Sequence, residues 1–201
     1  MVHAVLLAGG ASTRMGEPKA LLTAPDGRMF VTRIAQALLD GGVDRVVVVT
    51  GPHHQDTADA VRRTLDGTVV SVVQNPHPDR GQLSSLWVGM AAAIAPSTEA
   101  LVVTLVDVPL VNAALVRRLI QAWHETRAPI VRPAVGARHG HPVVFDRAVF
   151  DELRSAPAEV GAKAVLHAHA AEVLDVPVDD PGCLRDVDTP GDYASLRRGE
   201  A

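Results

Sequence analysis

The sequence predicts an α/β fold, a mostly parallel central sheet covered by helices on both faces, and three observations predict it. Short, β-branched apolar runs alternate with stretches of helical apolar spacing. The runs are apolar throughout, as strands buried on both faces must be. Each of the first four runs ends in glycine or a functional polar residue.

Taken in order, HAVLLA (3–8) is an apolar run that stops at Gly9 and reads as a buried strand. FVTRIAQALLD (30–40) has helical spacing and ends before Gly41, a residue suited to closing a helix. RVVVVT (45–50) reads as the second strand and QDTADAVRRTL (55–65) as a helix, with a turn at Asp66-Gly67. TVVSVVQ (68–74) is the third strand. SSLWVGMAAAIA (84–95) is a helix for which Ser84 or Ser85 is the expected N-cap. ALVVTLV (100–106) is the fourth strand, and the helix 112–125 starts near Asn112. Four βα units in succession imply parallel strands with right-handed crossovers. Beyond residue 128 the rhythm changes. PIVRP and HPVVF flank AVGARHG, as in a hairpin or a short crossover; two shorter helices (147–154 and 161–168), a strand in EVLDVPV and a final helix after RDVDTP follow. There is no repeat and no linker, so residues 1–201 are expected to form one domain.

Composition narrows the function. The chain has 201 residues, a formal net charge of -4 and 3% aromatic residues, which argues against a broad grip on nucleic acid or a base-stacking platform. One cysteine, Cys183, allows neither an internal disulfide nor a thiolate zinc cluster. The N-terminus lacks a basic region and its apolar run is short for a signal peptide, and no stretch matches a membrane span, so a cytoplasmic location is expected. A small anionic ligand remains open, because its site needs only a few cations and backbone N–H groups.

Ligands of open parallel sheets bind beyond the carboxyl ends of the strands. Those ends carry Gly9-Gly10, Thr50-Gly51, Asn75 (one of two asparagines) and Asp107. The first loop is neither GxGxxG nor a Walker loop, since Gly16 is followed by Glu17-Pro18-Lys19. Its glycines permit close backbone approach to phosphates, and Arg14 and Lys19 add positive charge. Lys19 is one of two lysines against seventeen arginines, which sets it apart from a plain surface cation. Asp107 leaves a wholly apolar strand, and a carboxylate beside a phosphate loop suits Mg²⁺, which is commonly held by one or two carboxylates plus substrate phosphates. DVDTPGDY (186–193) offers a second carboxylate, Asp186 or Asp188, ahead of a helix opened by Thr189-Pro190. His53-His54 reads as structural or incidental, His167 and His169 as solvated, and Trp87 and Trp123 as core.

LAGGASTRMGEPKALL, NPHPDRGQLSSLWVGM, VDVPLV, RHGHPVVF and DVDTPGDY, in this order, resemble the blocks of the nucleotidyltransferases of molybdenum cofactor biosynthesis, and cover nearly the whole chain. The GQLSSL and Gly-His-Pro blocks are most similar to the cytidylyltransferase branch. The resemblance implies a Rossmann-like, three-layer nucleotidyltransferase fold and Mg²⁺-dependent transfer of CMP from CTP to the terminal phosphate of molybdopterin. It further implies nucleotide contacts from Leu7, Ala8, Gly9, Gly10, Ser12, Arg14, Lys19, Asn75, Gly81 and Ser84. Lys19, Arg14 and Asp107 would be catalytic, Asp107 and Asp188 would hold metal, and His141, Arg138 and Lys163 would bind the acceptor. A client molybdoenzyme is a further implied partner. Glu17-Pro18 before the lysine favours CTP, whereas Gly10 is more typical of the guanylyl branch. Transfer to another small phosphate, or a non-catalytic cofactor-delivery role, are the competing readings.

Overall fold

The computed structural model describes residues 1–10, 12 and 14–199; Ala11 and Thr13 of the first glycine loop lie outside the described residues. Strands β1 (Val2–Ala8), β2 (Arg45–Thr50), β3 (Val70–Gln74) and β4 (Ala100–Leu105) pair in parallel in the order β3-β2-β1-β4. The sheet continues through β7 (Val143–Asp146), antiparallel to β4, to β5 (Ile130–Val135), whose far side carries β8 (Val173–Pro177) in parallel. The two-residue β6 (Arg138–His139) folds back on the end of β5, so the segment after residue 128 is a hairpin. Its returning arm is interrupted at Gly140-His141-Pro142, just past the end of β4, where the backbone N–H of His141 turns away to the Cys183 carbonyl at 2.9 Å.

Between the strands run α1 (Phe30–Asp40), α2 (His54–Thr64), α3 (Gln82–Ala93) and α4 (Ala113–Thr126), followed by α5 (Phe150–Ser155), α6 (Lys163–Ala168) and α7 (Pro190–Arg198). The period-2 alternation of the strands divides the core into two layers. Leu6, Val46, Val48 and Val102 face Phe30, Ile34 and Leu38 of α1, Leu119 and Trp123 of α4 and Leu196 of α7. Val5, Leu7, Val47, Val49 and Val103 face Leu83, Leu86 and Met90 of α3 and Phe150 and Leu153 of α5. Gly89 lets α3 lie close to the sheet, since a Cβ there would collide with Val5 and Val49. These are the three layers the sequence implies.

The starts of α3 and β3 are among the boundaries that differ from expectation. Helix α3 starts two residues early and is capped by Gly81, at φ 86°, while Ser84 and Ser85 lie buried inside its first turn. The serine hydroxyls are drawn into a hydrogen-bond cluster with Asn75, which a propensity argument for N-caps does not foresee. Strand β3 begins at Val70, because Asp66 holds the Thr68 amide in a turn at 2.8 Å. Thr189 caps α7 as expected, in a reciprocal capping box with Asp192, and Asn112, expected as the start of its helix, is the N-cap of α4.

The topology positions the site. From β1 to β3 the chain moves outward in one direction, and from β3 it returns across to β4 on the other side of β1. The crevice where this direction reverses lies beyond the ends of β1 and β4. No helix among the described residues is long and apolar enough to cross a membrane.

Candidate active site

A cavity of about 360 Å³ opens at that crevice. Its floor is Leu7, Ala8, Gly9 and Gly10 from the end of β1, with Leu105, Val106 and Asp107 from the end of β4. Ser12, Arg14 and Lys19 come from the glycine loop, and Asp188 from the loop before α7. The amide of Val106 donates to the Leu7 carbonyl at 3.0 Å and extends the β1–β4 pairing one residue beyond the strands, which fixes the start of the Asp107 turn. Arg33 of α1 secures the other side of that turn. Its guanidinium donates to the carbonyls of Pro109 and, at 3.0 Å, Val111, while its Nε is paired with Asp26 at 3.0 Å.

The DVDTP loop reaches the same point from 80 residues away. Val187 is fully buried, and its amide donates to the Asp107 carbonyl at 2.8 Å. Beside that anchor Asp188 lines the crevice, while Asp186 is exposed and outside the lining. The Asp192 carboxylate accepts from the amides of Asp188 and Thr189 at 3.1 and 2.8 Å and holds the loop on the start of α7.

Lys19 lies between the two carboxylates. Its Nζ is 2.5 Å from Asp188 Oδ1 and 3.6 Å from Asp107 Oδ2, and its side chain is 14% exposed. The Lys19 amide donates to Ser12 Oγ at 3.1 Å, which ties the lysine to the glycine loop. Arg14 is at the rim, 3.8 Å from Asp188 and 70% exposed. Asp107 Oδ1 is buried without a hydrogen-bond partner. A buried carboxylate oxygen left in that condition calls for a cation or a donor. Partial burial, then the like charges of Asp107 and Asp188, push the Asp186 carboxyl above its usual range. Among the described residues no group of three or more His, Cys, Asp or Glu is arranged to hold a metal by itself. Asp107 and Asp188 are two hard oxygen donors, and a Mg²⁺-like ion held by two carboxylates takes its remaining ligands from phosphates and water.

Asn75 and Ser84 stand one layer behind this cavity rather than on its wall. Asn75 is buried; its amide N–H₂ donates to Ser84 Oγ at 2.8 Å and Ser85 Oγ at 2.9 Å, and its Oδ1 accepts from the His77 amide at 2.9 Å. Ser84 in turn donates to the carbonyl of Gly81 or His77. This cluster shapes the wall that Pro78, Gly81, Gln82 and Ser85 present to the cavity. Gly9 and Gly51 are needed where the ends of β1 and β2 converge, since a Cβ on Gly51 would strike the Gly9 backbone. His53 and Thr57 also line the cavity. Sequence reasoning reads His53 as structural or incidental and does not single out Thr57; their signal is their place after the second strand end.

A second cavity of about 650 Å³ adjoins the first and shares Leu7, Gln82 and Leu105 with it. Val103, Val143, Phe145, Leu83 and Leu86 make its apolar wall, and Arg132, His139, His141, Lys163 and His167 its polar one. Arg138 is exposed on β6, outside this lining. Arg132 is held by Asp175 at 2.6 Å, and the same carboxylate meets His139 Nε2 at 3.1 Å. Hydrogen bonding to Arg132 keeps the Asp175 carboxyl below its usual range. His141 has a buried Nδ1 with no partner, and burial holds its imidazole below the ordinary pKa, that is, neutral near pH 7. His169 is not simply solvated: it bridges Glu152 and Glu172 at 3.0 Å each. Trp87 and Trp123 pack in or against the core, and each donates its indole N–H, to the Leu153 carbonyl and to Asp146.

The family model of the MobA-like NTP transferase domain matches residues 4–173. Among curated proteins, the chain is 33% identical over 196 residues to the nicotine blue oxidoreductase of Paenarthrobacter nicotinovorans, covering 94% of this chain and 92% of that protein. It is 23% identical to the molybdenum cofactor cytidylyltransferase of Escherichia coli K12 (98% and 95% covered). It is 27% identical to a probable molybdenum cofactor guanylyltransferase of Mycolicibacterium paratuberculosis (98% and 95%). Among solved structures, Rv0371c of Mycobacterium tuberculosis H37Rv superposes with a TM-score of 0.80 at 30% identity, covering 98% and 97% of the two chains. Its complex with manganese gives a TM-score of 0.74 at 29% identity, with 98% of each chain covered.

Proposed function

Because the chain belongs to the MobA-like NTP transferase family and is a nucleotidyltransferase, we propose that it transfers CMP from CTP to the terminal phosphate of molybdopterin in a Mg²⁺-dependent reaction that releases pyrophosphate. The observation that carries this reading is the convergence of Lys19, Asp107 and Asp188 on the glycine-lined crevice at the ends of β1 and β4. In the reaction a phosphate oxygen of the acceptor bonds to the α-phosphorus of the triphosphate, and the bond from that phosphorus to the oxygen bridging to the β-phosphate breaks. The attacking group is already an anion, so the demand on the protein is to bring anions together and to stabilise the departing charge.

Gly9, Gly10 and Ser12 offer backbone and hydroxyl contacts to the phosphates, and Lys19 supplies a compact point charge on a flexible stem. Arg14, exposed at the rim, closes over the triphosphate from outside. Asp107 and Asp188 are the residues that would hold the divalent cation, and the unpartnered Oδ1 of Asp107 fits that role. When bound, the ion neutralises phosphate charge and stabilises the leaving pyrophosphate. Manganese in the Rv0371c complex supports a divalent cation in this fold. The adjoining cavity would receive the acceptor. Its apolar wall suits a ring system, Lys163 on its polar wall would contact its phosphate, and the shared Leu7, Gln82 and Leu105 stand where the two substrates meet. CTP is favoured over GTP by Glu17-Pro18 ahead of Lys19 and by the GQLSSL block. Delivery to a client molybdoenzyme and a cytoplasmic location accord with that role.

The likeness to nicotine blue oxidoreductase supports a second reading, a redox activity on the same scaffold. One experiment separates them. Purified protein is given CTP, GTP, ATP or UTP with Mg²⁺ and molybdopterin, and pyrophosphate release is followed; in parallel, the absorbance of nicotine blue is followed with a panel of electron donors. Pyrophosphate release that needs molybdopterin and is fastest with CTP is the expected result. Faster turnover with GTP overturns the base choice, and enzyme-dependent reduction of nicotine blue without pyrophosphate release overturns the transferase reading.

A further inference from the structure

Lys19 has two demands on it that cannot be met at once. The ammonium that would contact the triphosphate is engaged with both carboxylates that would hold the cation, at 2.5 Å from Asp188 and 3.6 Å from Asp107. Resting on the nucleotidyltransferase reading of this crevice, we infer that Lys19 is the resident counter-cation of the ligand-free site and exchanges with the divalent cation, so that metal binds well only when a polyphosphate is there to take the lysine.

The charges require such a device. Asp107 and Asp188 both line one crevice and carry like charge. Without a cation between them the two carboxylates would repel each other across the loop arrangement that Val187 anchors on Asp107. Arg14 stays exposed at the rim, 3.8 Å from Asp188, whereas Lys19 is largely enclosed between the two carboxylates. A bound dication and the Lys19 ammonium on the same two carboxylates would repel each other strongly at such short range.

The lysine can leave without disturbing its backbone. Its amide is fixed by Ser12 Oγ and it opens the short 3-10 turn Lys19–Leu21, so the motion falls on the four-carbon stem. The cavity into which it would turn is lined by Gly9, Gly10 and Ser12, where phosphates would sit. Lys19 thus does two jobs in sequence: it holds the carboxylates together in the empty site, then follows the triphosphate and frees them. Free metal would compete poorly, and the metal–triphosphate complex would be the species that enters.

The test is Mn²⁺ binding to the full chain, read by the electron paramagnetic resonance of free Mn²⁺, with and without a non-hydrolysable CTP analogue. Lys19→Met and Lys19→Gln remove the charge; Lys19→Arg keeps it; Asp107→Asn reports on the site itself. In nucleotide-free protein, both neutral variants are expected to bind Mn²⁺ roughly 10- to 30-fold more tightly than the parent, from the loss of one like charge at contact range. Lys19→Arg is expected to stay near the parent. The analogue should tighten Mn²⁺ binding far more in the parent than in the neutral variants. If the neutral variants bind Mn²⁺ no more tightly than the parent while Asp107→Asn loses it, the exchange is refuted and the metal site stands. If no form binds Mn²⁺, even with the analogue, both the metal site and the exchange fall.

Discussion

Asn75→Ala tests whether a residue with no face on the cavity governs nucleotide affinity. The substitution removes two amide donations, to Ser84 Oγ at 2.8 Å and Ser85 Oγ at 2.9 Å, and the acceptor of the His77 amide at 2.9 Å. Asn75 is 2% exposed, so water does not replace these partners without rearrangement. Three hydrogen bonds at about 1 kcal/mol each give a loss of about 3 kcal/mol. For a chain of 201 residues that corresponds to a fall in Tm of roughly 6–12 °C. The same change releases the turn that sets Gly81, Gln82 and Ser85 against the cavity, so KM for the triphosphate should rise while the Mg²⁺ needed for half activity stays near that of the parent. The assay pairs thermal unfolding with initial-rate kinetics. Ser84→Ala and the double variant complete a cycle, in which a coupling of about 0.5–3 kcal/mol is expected for residues in one network. A Tm within about 2 °C of the parent, combined with a raised KM, would refute the reasoning and would make Asn75 a direct ligand of the nucleotide.

Three further outcomes are expected. Lys19→Ala should lower kcat/KM by roughly 10²–10³, the usual worth of a preorganised charge in a transition state, in a protein that still folds; Lys19→Arg should keep part of the activity, and unchanged turnover in Lys19→Ala would remove the lysine from the reaction. Asp107→Asn should abolish turnover while the circular dichroism stays native, and Asp188→Asn should raise the Mg²⁺ needed for half activity, because its amide oxygen remains a weaker ligand; a Mg²⁺ titration of rate that matches the parent would release Asp188 to a purely structural role. Hydrogen bonds that His169 donates to Glu152 and then Glu172 raise it above its ordinary pKa of 6.5, so its stabilising effect is complete below that ordinary value and is lost as pH rises through the raised one. Denaturation of the parent and His169→Gln should therefore differ most below about pH 6.5 and converge as pH rises through the raised pKa; a gap that widened with pH would contradict the sign.

The sequence by itself determined the elements and the edge on which chemistry would occur. Apolar β-branched runs such as Arg45–Thr50 and helical spacing such as Phe30–Asp40 are local properties, and parallel βα units have one dominant handedness, so Gly9, Gly51, Asn75 and Asp107 were bound to emerge at one edge. Capping at Thr189 was legible for the same reason: the cap bonds an amide three residues on. Tertiary structure decided what no local pattern carries. Whether Asp186 or Asp188 meets Lys19 depends on Val187 finding the core and the Asp107 carbonyl, 80 residues apart in sequence. Ser84 read as a cap on propensity, but the buried amide of Asn75 outcompeted the helix terminus for its hydroxyl. His53 and Gln82 became lining because two loops from different strand ends converge, and His169 was recruited by Glu152 from another helix. Periodicity within a segment is set by backbone geometry over a few residues, whereas a site is made of side chains whose neighbours are chosen by packing across the whole sheet.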